Sequence, residues 1–279
     1  MRIFTTAGDY GPERNTARQH KSRLISILSK AASAAVWLLI WFLAAKAVDL
    51  EVLVPPPAAV LKSLGSLIQQ PLFWKSILYS ICRVLAGFIL ASAAGTVLAV
   101  LTYISPFLRD FFYPMINTVK ATPVASFIIL ALMWFATGRV PVFICFLMVL
   151  PTVWTNLTSG LNQTDPELLE MGKAYHFNKK KMMRLIYIPS VFPYFQAALS
   201  AGIGMAWKAG VAAEVIGRPE FSIGKELYAS KIYIEMPDMF AWTLVVILIS
   251  MVIEKVLVKM IGLAGGSRRR RNEEAQREK

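Results

Sequence analysis

The sequence predicts an all-α integral membrane protein of about six transmembrane helices, with both termini on the cytoplasmic side. Three observations carry this expectation. Of 279 residues, 56% are hydrophobic and only 17% charged, with a mean hydropathy of +0.53; a soluble chain carries about 25% charged residues. Apolar runs approaching the ~20 helical residues that cross a ~30 Å hydrocarbon core recur along the chain. The cations are also placed asymmetrically. Roughly two thirds of the 30 lysines and arginines fall in segments 1–30, 104–120, 158–190 and 255–279, and the cation-rich side of a membrane protein is the cytoplasmic one. The alternate segments hold only Lys62, Lys75, Arg139, Arg218, Lys225 and Lys231. The net charge of +13 is therefore mostly topology and does not call for nucleic acid.

Residues 1–30 form a basic segment carrying Arg2, Arg14, Arg18, Lys21, Arg23 and Lys30. The apolar run 31–50 has no small-residue cleavage site after a short hydrophobic core. It reads as a retained span rather than a signal peptide, with Lys46 snorkelling near its outer end. A polar interval, 51–76, contains Pro55, Pro56 and Pro57. The second span ends near Tyr103, with Arg83 at headgroup level. Its Ala91, Ser92, Ala93, Ala94 and Gly95 allow close helix approach. A short turn is expected around Arg109, Asp110 and Pro114.

The third span is odd, because its cleanly apolar part, 124–136, is too short. It must borrow 115–125, which brings in Lys120, Thr122 and Pro123. An interrupted, partly polar span is tolerated where it faces protein or a wet cavity. Thr122, Pro123, Ser126 and Trp134 are thus candidates for lining a path, although a kinked packing helix fits the same pattern. After a tight turn at 138–141, the fourth span covers about 142–157 with Pro151.

The fifth span, 191–213, contains Pro193, Gly202, Gly204, Trp207 and Lys208, with Glu214 just beyond. Ionisable groups within a membrane are expensive, so Lys208 and Glu214 need a partner or water. They are too offset for one helix face. Trp207 and Lys208 join the path candidates, with snorkelling near the outer surface as the other reading. The interval 215–238 is polar and holds an amphipathic helix over about 225–236. Asp238 is placed to cap the last span, 239–260, before the basic tail 263–279 with its arginines at 268–271. Domain boundaries are accordingly 1–30, 31–262 and 263–279.

Residues 164–189 are the long polar stretch of the second half. Thr164 and Asp165 are candidate N-caps, Pro166 suits a first helical turn, and Thr164 with Glu167 has capping-box form. Leu168, Met171, Gly172 and Tyr175 share one face at i, i+3, i+4 and i+7, while Glu167, Glu170 and Lys173 occupy the other. Asn178 has the residue type that ends a helix in the left-handed conformation. A second helix starts within 179–181 and is expected to stop near Pro189. The same pattern serves a plain surface helix and a docking helix, and spacing does not decide between them.

Glu170, His176, Ile186, Ile188 and Pro189 reproduce the spacing of a known motif. The stretch resembles the cytoplasmic loop of binding-protein-dependent ABC importer permeases: Glu-Ala-Ala, three residues, Gly, nine residues, Ile, one residue, Leu-Pro. Met171 and Gly172 stand for the alanines, His176 for the glycine and Ile188 for the leucine; with the glycine absent, Asn178 or His176 is expected to supply the left-handed residue of the turn. Further stretches resemble the same family. They are the prolines at 55–57; Ser80, Arg83, Gly87 and Phe88; Pro123, Ala125, Trp134 and Phe135; Trp207 and Glu214; and Ser222, Ile223 and Gly224. The likeness spans roughly 53–262 and is closest to the nitrate/sulfonate/taurine group.

That resemblance implies a permease subunit with two ATP-binding subunits on the cytoplasmic face, a second copy of itself, and an extracytoplasmic substrate-binding protein, all around a lipid bilayer. It implies that Glu167, Glu170, Met171, Gly172, Tyr175, His176 and Pro189, within the loop 158–190, couple the chain to the ATPase. The substrate would be a small solute, sulfonate-, nitrate- or taurine-like, or thiamine-precursor-like. The chain has no phosphate-binding loop of the G-x-x-x-x-G-K-[ST] type, so ATP hydrolysis is expected on a separate subunit and this chain is not expected to be an enzyme. His20 and His176 stand alone, and Cys82 and Cys145 lie in or beside apolar runs. No metal or other cofactor is expected. The alternative is an ion-gradient-driven carrier or channel acting without an ATPase, against which the absence of an internal repeat speaks.

Overall fold

The computed structural model describes residues 29, 32–33, 35–48, 50 and 53–277, with side chains up to 262. The expected basic N-terminal segment lies almost entirely outside the described residues, and the tail arginines lie beyond the described side chains. The chain divides into two units, Met1–Lys62 and Ser63–Lys279. The first contains α1, Ala35–Val48, inside the expected first span, and the start of α2, Pro57–Ile68. Everything that follows concerns the second unit.

That unit is helical throughout: α3 Pro71–Ile104, α4 Pro106–Ala121, α5 Val124–Trp134, α6 Val140–Asn162, α7 Pro166–Ala174, α8 Lys179–Met182, α9 Ile188–Gly217, α10 Ile223–Ile232 and α11 Met236–Arg277. Among the described residues, three helices are long and apolar enough to cross a membrane: α3, α6 and the continuous helix Lys179–Gly217. The pair α4 and α5 makes a fourth if taken as one broken span. The expected last apolar run, 239–260, lies within α11.

Helices α3, α6 and α9 form the centre, and small residues let them touch. A Cβ on Gly87 would sit 2.5 Å from the Val142 carbonyl oxygen, and one on Gly210 would sit 2.6 Å from Val84 Cγ2. Those positions therefore fix the crossing points by having no side chain. Ala91, Gly95 and Ala99 continue the buried face of α3, whereas Ala93 of the expected small-residue cluster faces outward. The Trp154 indole donates to Thr102 Oγ1 at 2.9 Å, joining α6 to α3, and the Trp207 indole donates to the Val246 carbonyl at 3.1 Å, joining α9 to α11. Cys145 is buried with its thiol 3.2 Å from the Ala206 carbonyl, a packing role.

Several local expectations are corrected. The turn expected at Arg109, Asp110 and Pro114 is helical and lies within α4. Ser105 caps that helix by accepting from the Leu108 amide, and Pro106 sits in its first turn, a start signal that outweighs the charges. The third span is not a kinked helix. It bends by 107° between α4 and α5. Thr122, at ψ 132°, is held extended by the proline that follows it. Asp238 does not cap α11, which begins at Met236; its carboxylate accepts from Ser63 Oγ.

The helix expected to stop near Pro189 continues to Gly217. Pro189 has no amide to donate, and its ring crowds the carbonyl four residues back. The chain widens there into a π turn, Met183–Tyr187, in which the Ile188 amide reaches the Met183 carbonyl five residues back. The proline is absorbed by the wider turn instead of breaking the helix.

Candidate functional site

The loop between α6 and α8 is built by caps. Asp165, not Thr164, is the N-cap of α7, its carboxylate accepting from the Glu167 amide at 2.9 Å. The Thr164 hydroxyl instead turns back to the Gly160 carbonyl, so the expected capping box does not form. At the far end, His176 takes the left-handed conformation with φ 51°. The His176 amide donates to the Lys173 carbonyl and the Phe177 amide to the Gly172 carbonyl, the latter being the six-to-one bond of a Schellman ending. Asn178 is extended and caps the next helix by accepting from the Lys181 amide. The left-handed residue is therefore His176, at the family's glycine position, and not Asn178.

Gly172 turns inward, where a Cβ would meet Met182 Sδ at 2.7 Å and Ile186 Cδ1 at 3.0 Å. The loop thus tucks α7 against the start of the long helix. Of the four residues expected on one apolar face, only Gly172 is buried; Leu168, Met171 and Tyr175 point out, Tyr175 with 72% of its surface exposed. Glu167 and Glu170 are exposed beside them, and Pro189 lies exposed at the helix junction. The outward surface of α7 therefore combines exposed apolar and acidic groups. Apolar anchors at i, i+3 and i+7 are the pattern by which a short helix fills a groove on a partner.

The path candidates are not all gathered in one place. Lys120, at the end of α4, donates to Thr155 Oγ1 of α6 at 2.6 Å. Thr152 lies one turn earlier on α6 and meets Met205 Sδ of α9 at 3.8 Å. Lys208 follows Met205 by three residues and, like it, is exposed. These five residues make a stripe across α4, α6 and α9, exposed at Lys120, Met205 and Lys208 and half-buried at Thr152 and Thr155. Thr122 and Pro123 form the bend next to Lys120. Ser126 and Trp134 are exposed on α5. Trp207, by contrast, is buried against α11. Thr152, Thr155 and Met205 were not singled out from the sequence, because only the packing of α6 on α9 aligns them with the lysines.

A second cluster was also missed. Glu214 is fully buried near the end of α9. Its carboxylate accepts from Ser80 Oγ at 2.6 Å, from Arg83 at 3.4 Å and from the Gly224 amide at 3.4 Å. Arg83 also donates to the carbonyls of Phe221 and Glu220 at 3.0 and 2.8 Å. Ser80 Oγ in turn accepts from the Ile223 amide. The group ties α3, α9 and the segment leading into α10 together. Arg83 is thus an internal ligand of that segment and not a headgroup charge. The signal was present: two ionisable residues in apolar runs, each needing a partner. Among the described residues no group of His, Cys, Asp and Glu is arranged to hold a metal.

Residues 87–261 match the family model described as binding-protein-dependent transport system inner membrane component. The chain is 30% identical to the nitrate import permease protein NrtB of Synechococcus elongatus over 141 residues, which is half of each chain. It is 25% identical to a putative ABC transporter permease protein of Methanocaldococcus jannaschii over 83% of this chain and 88% of that one. It is 21% identical to the taurine transport system permease protein TauC of Escherichia coli over 69% and 71% of the two chains. The fold matches a crystal structure of an amino acid ABC transporter with histidines, with a TM-score of 0.58 and 17% identity, over 71% of this chain and 94% of that one.

Proposed function

The chain belongs to the family of binding-protein-dependent transport system inner membrane components, and from that premise we propose that it forms half of the path of an ATP-driven importer for a small anion. It is a permease of the ABC importer type and a membrane protein, with relatives named for nitrate, bicarbonate and taurine transport. The single observation that carries the finer reading is the stripe Lys120, Thr155, Thr152, Met205 and Lys208. A lysine facing hydrocarbon costs ~2.5–3.5 kcal/mol even on the lenient insertion scale. Two lysines on one apolar face are therefore expected to meet protein and water, not lipid. A second copy of the chain laid over this stripe makes a positive, partly wet seam, and three relatives carry the names of small anionic or zwitterionic cargo.

The remaining parts of the proposal draw on the exposed face of α7 and on the placement of the cations along the sequence. The full chain crosses the membrane about six times, with α1 and α11 as first and last spans and both termini inside. The acidic and apolar outer face of α7 docks on a separate ATP-binding subunit, one per permease chain. Glu170 and Tyr175 contact it, and the His176 turn sets the angle at which α7 is presented. Closure of the two ATPase subunits moves α7, and the motion passes through Gly172 and its neighbours Met182 and Ile186 into the long helix. The path then alternates its opening, and an extracytoplasmic binding protein delivers the solute. Mild detergent extraction of the tagged chain from its native membrane tests this. An ATP-binding subunit at one copy per permease chain is the expected result. A chain that purifies alone and drives uptake in vesicles from an ion gradient would refute it.

A further inference from the structure

A groove of about 330 Å³ opens between the end of α3, the last turns of α6 and the π turn leading into α9. It is within the ~300–1,000 Å³ range of small-molecule sites. Thr96 and Val100 form one wall, Leu157 and Leu161 a second, and Met183 with Phe192 the third. The lining is apolar apart from the hydroxyls of Thr96 and Tyr187. Thr96 lies eight residues from the end of α3, so the groove reaches roughly 12 Å down from that end, within the depth of one leaflet.

What distinguishes this groove from an ordinary lipid-facing surface is its mouth. Met183, Tyr187, Ile188, Val191 and Phe195 line it along one stripe of a single helix. Followed one turn back, that stripe arrives at Lys179 and Lys180, and Arg184 lies beside Met183 in the π turn. Lys179, Lys180 and Arg184 are exposed, and none forms an ion pair among the described residues. Lys181 is turned away onto the Phe177 ring, 4.3 Å from its centroid. An apolar slot capped by unpaired cations matches a molecule with a hydrocarbon chain and an anionic head.

We propose that this groove binds an anionic phospholipid, one acyl chain lying against Thr96, Leu157 and Val191 and the phosphate held by Lys180 and Arg184. Basic sites between transmembrane helices at the cytoplasmic surface recognise such headgroups. The occupant rests on the π turn, which joins the α7 loop to α9, so its presence stiffens the element through which α7 would pass its motion. The inference needs only that the chain sits in a bilayer and does not depend on the identity of the transported solute.

The test is lipid retention by the full-length chain, measured by native mass spectrometry after addition of phosphatidylglycerol or phosphatidylcholine with identical acyl chains. Phosphatidylglycerol is expected to be retained preferentially and to raise the melting temperature. The double variant Lys180→Gln/Arg184→Gln should lose that preference by at least about tenfold while keeping residual binding of both lipids. Filling the slot from either wall, with Val191→Trp or Thr96→Phe, should abolish retention of both; two variants guard against one that fails to fold. Equal retention of the two lipids by the unaltered chain overturns the proposal. So does loss on charge removal with no loss on filling, which would mean surface attraction without a groove. Competition by glycerol phosphate alone would assign the cations to a free anion, and exclusion of lipid whenever two copies associate would assign the groove to a chain-chain contact.

Discussion

The two ends of the long helix Lys179–Gly217 are built in opposite ways. At the α7 end, caps and one inward glycine hold a small helix whose outer side chains Glu167, Glu170, Met171 and Tyr175 are exposed, Tyr175 with its ring 6.3 Å from that of Phe177. At the other end, Glu214 is sealed under Ser80, Arg83 and the Gly224 amide. Both ends carry a non-glycine residue at positive φ, His176 at 51° and Arg218 at 50°. The first is supported by backbone hydrogen bonds; the second also lays its guanidinium 4.7 Å from the Tyr228 ring centroid. A coupling element has to move relative to its scaffold, and low local stability is where moving parts are found. If α7 couples the chain to a partner as proposed, the buried ionic end supplies the fixed point about which it shifts.

Breaking the fixed end should have the largest effect. Glu214→Ala leaves Arg83 facing a buried void and strips Ser80 and the Gly224 amide of their acceptor. Removing one partner of a buried ion pair costs about 3–5 kcal/mol, so the variant should fail to accumulate or should melt far below the unaltered chain in detergent. The double variant Arg83→Met/Glu214→Met should be milder than Glu214→Ala, because no charge is left stranded. If the two are equally damaged, the cluster acts through packing and not through the pair.

Glu170→Lys at the movable end should do the reverse. It lies on an exposed face, where substitutions usually stay within about 0.5 kcal/mol. Membrane insertion and melting should be unchanged while solute uptake falls at least about tenfold, the size of a lost charged contact at an interface. Unchanged uptake would remove Glu170 from the docking surface. Lys208→Met on the stripe should likewise spare folding but weaken uptake of an anion more than that of a neutral solute.

The contrast also explains what the sequence could reveal. The apolar runs, the charge asymmetry and the loop around Glu170 are local patterns, readable from composition and spacing. Arg83 and Glu214 each looked anomalous alone, but their pairing spans 131 positions and depends on how α3 crosses α9. That crossing is fixed where Gly210 of α9 meets Val84 of α3, a position whose role lies in the side chain it lacks. Pro189 misled for a physical reason: a proline ends a helix only if the turn before it cannot widen, and the π turn Met183–Tyr187 does widen. At Pro123 the pattern fits a path-lining interruption and a kinked packing helix alike, because nothing nearby in sequence shows that α5 packs Ile128 and Ala131 onto Ile144 and Ala213 across a 107° bend. The stripe of half-buried Thr152 and Thr155 with exposed Met205 needed two helices in register before it existed at all.

The left-handed caps give a finer comparison. His176→Gly removes the ~1 kcal/mol strain of a side chain in the left-handed region but adds unfolded-state entropy of similar size, so stability should change by a few tenths of a kcal/mol. Arg218→Gly makes the same exchange and also loses the contact with Tyr228, worth about 0.5–1 kcal/mol where exposed. A melting difference between the two variants in that direction supports a stiffer Arg218 end; identical shifts would dissolve the distinction.

The smallest expected effect concerns Glu226 on α10, next to the fixed end. Burial raises its carboxyl above the ordinary glutamate range, partly opposed by the charge of Lys225. A carboxyl that binds its proton more tightly when folded stabilises the folded form at low pH. The contribution is complete below the unfolded pKa of ~4.3 and is lost as pH rises through the raised folded value. Glu226 is partly exposed, so solvent screening keeps the effect modest. Amide exchange slows intrinsically on acidification, so the readout is the protection factor, and that of α10 amides should rise across that window in the unaltered chain. Glu226→Gln should flatten the α10 response and leave α7 as it was. An α10 response that survives the substitution would place the titrating group elsewhere, and the pH sensitivity of the Glu214 end would then have to come from a group other than Glu226.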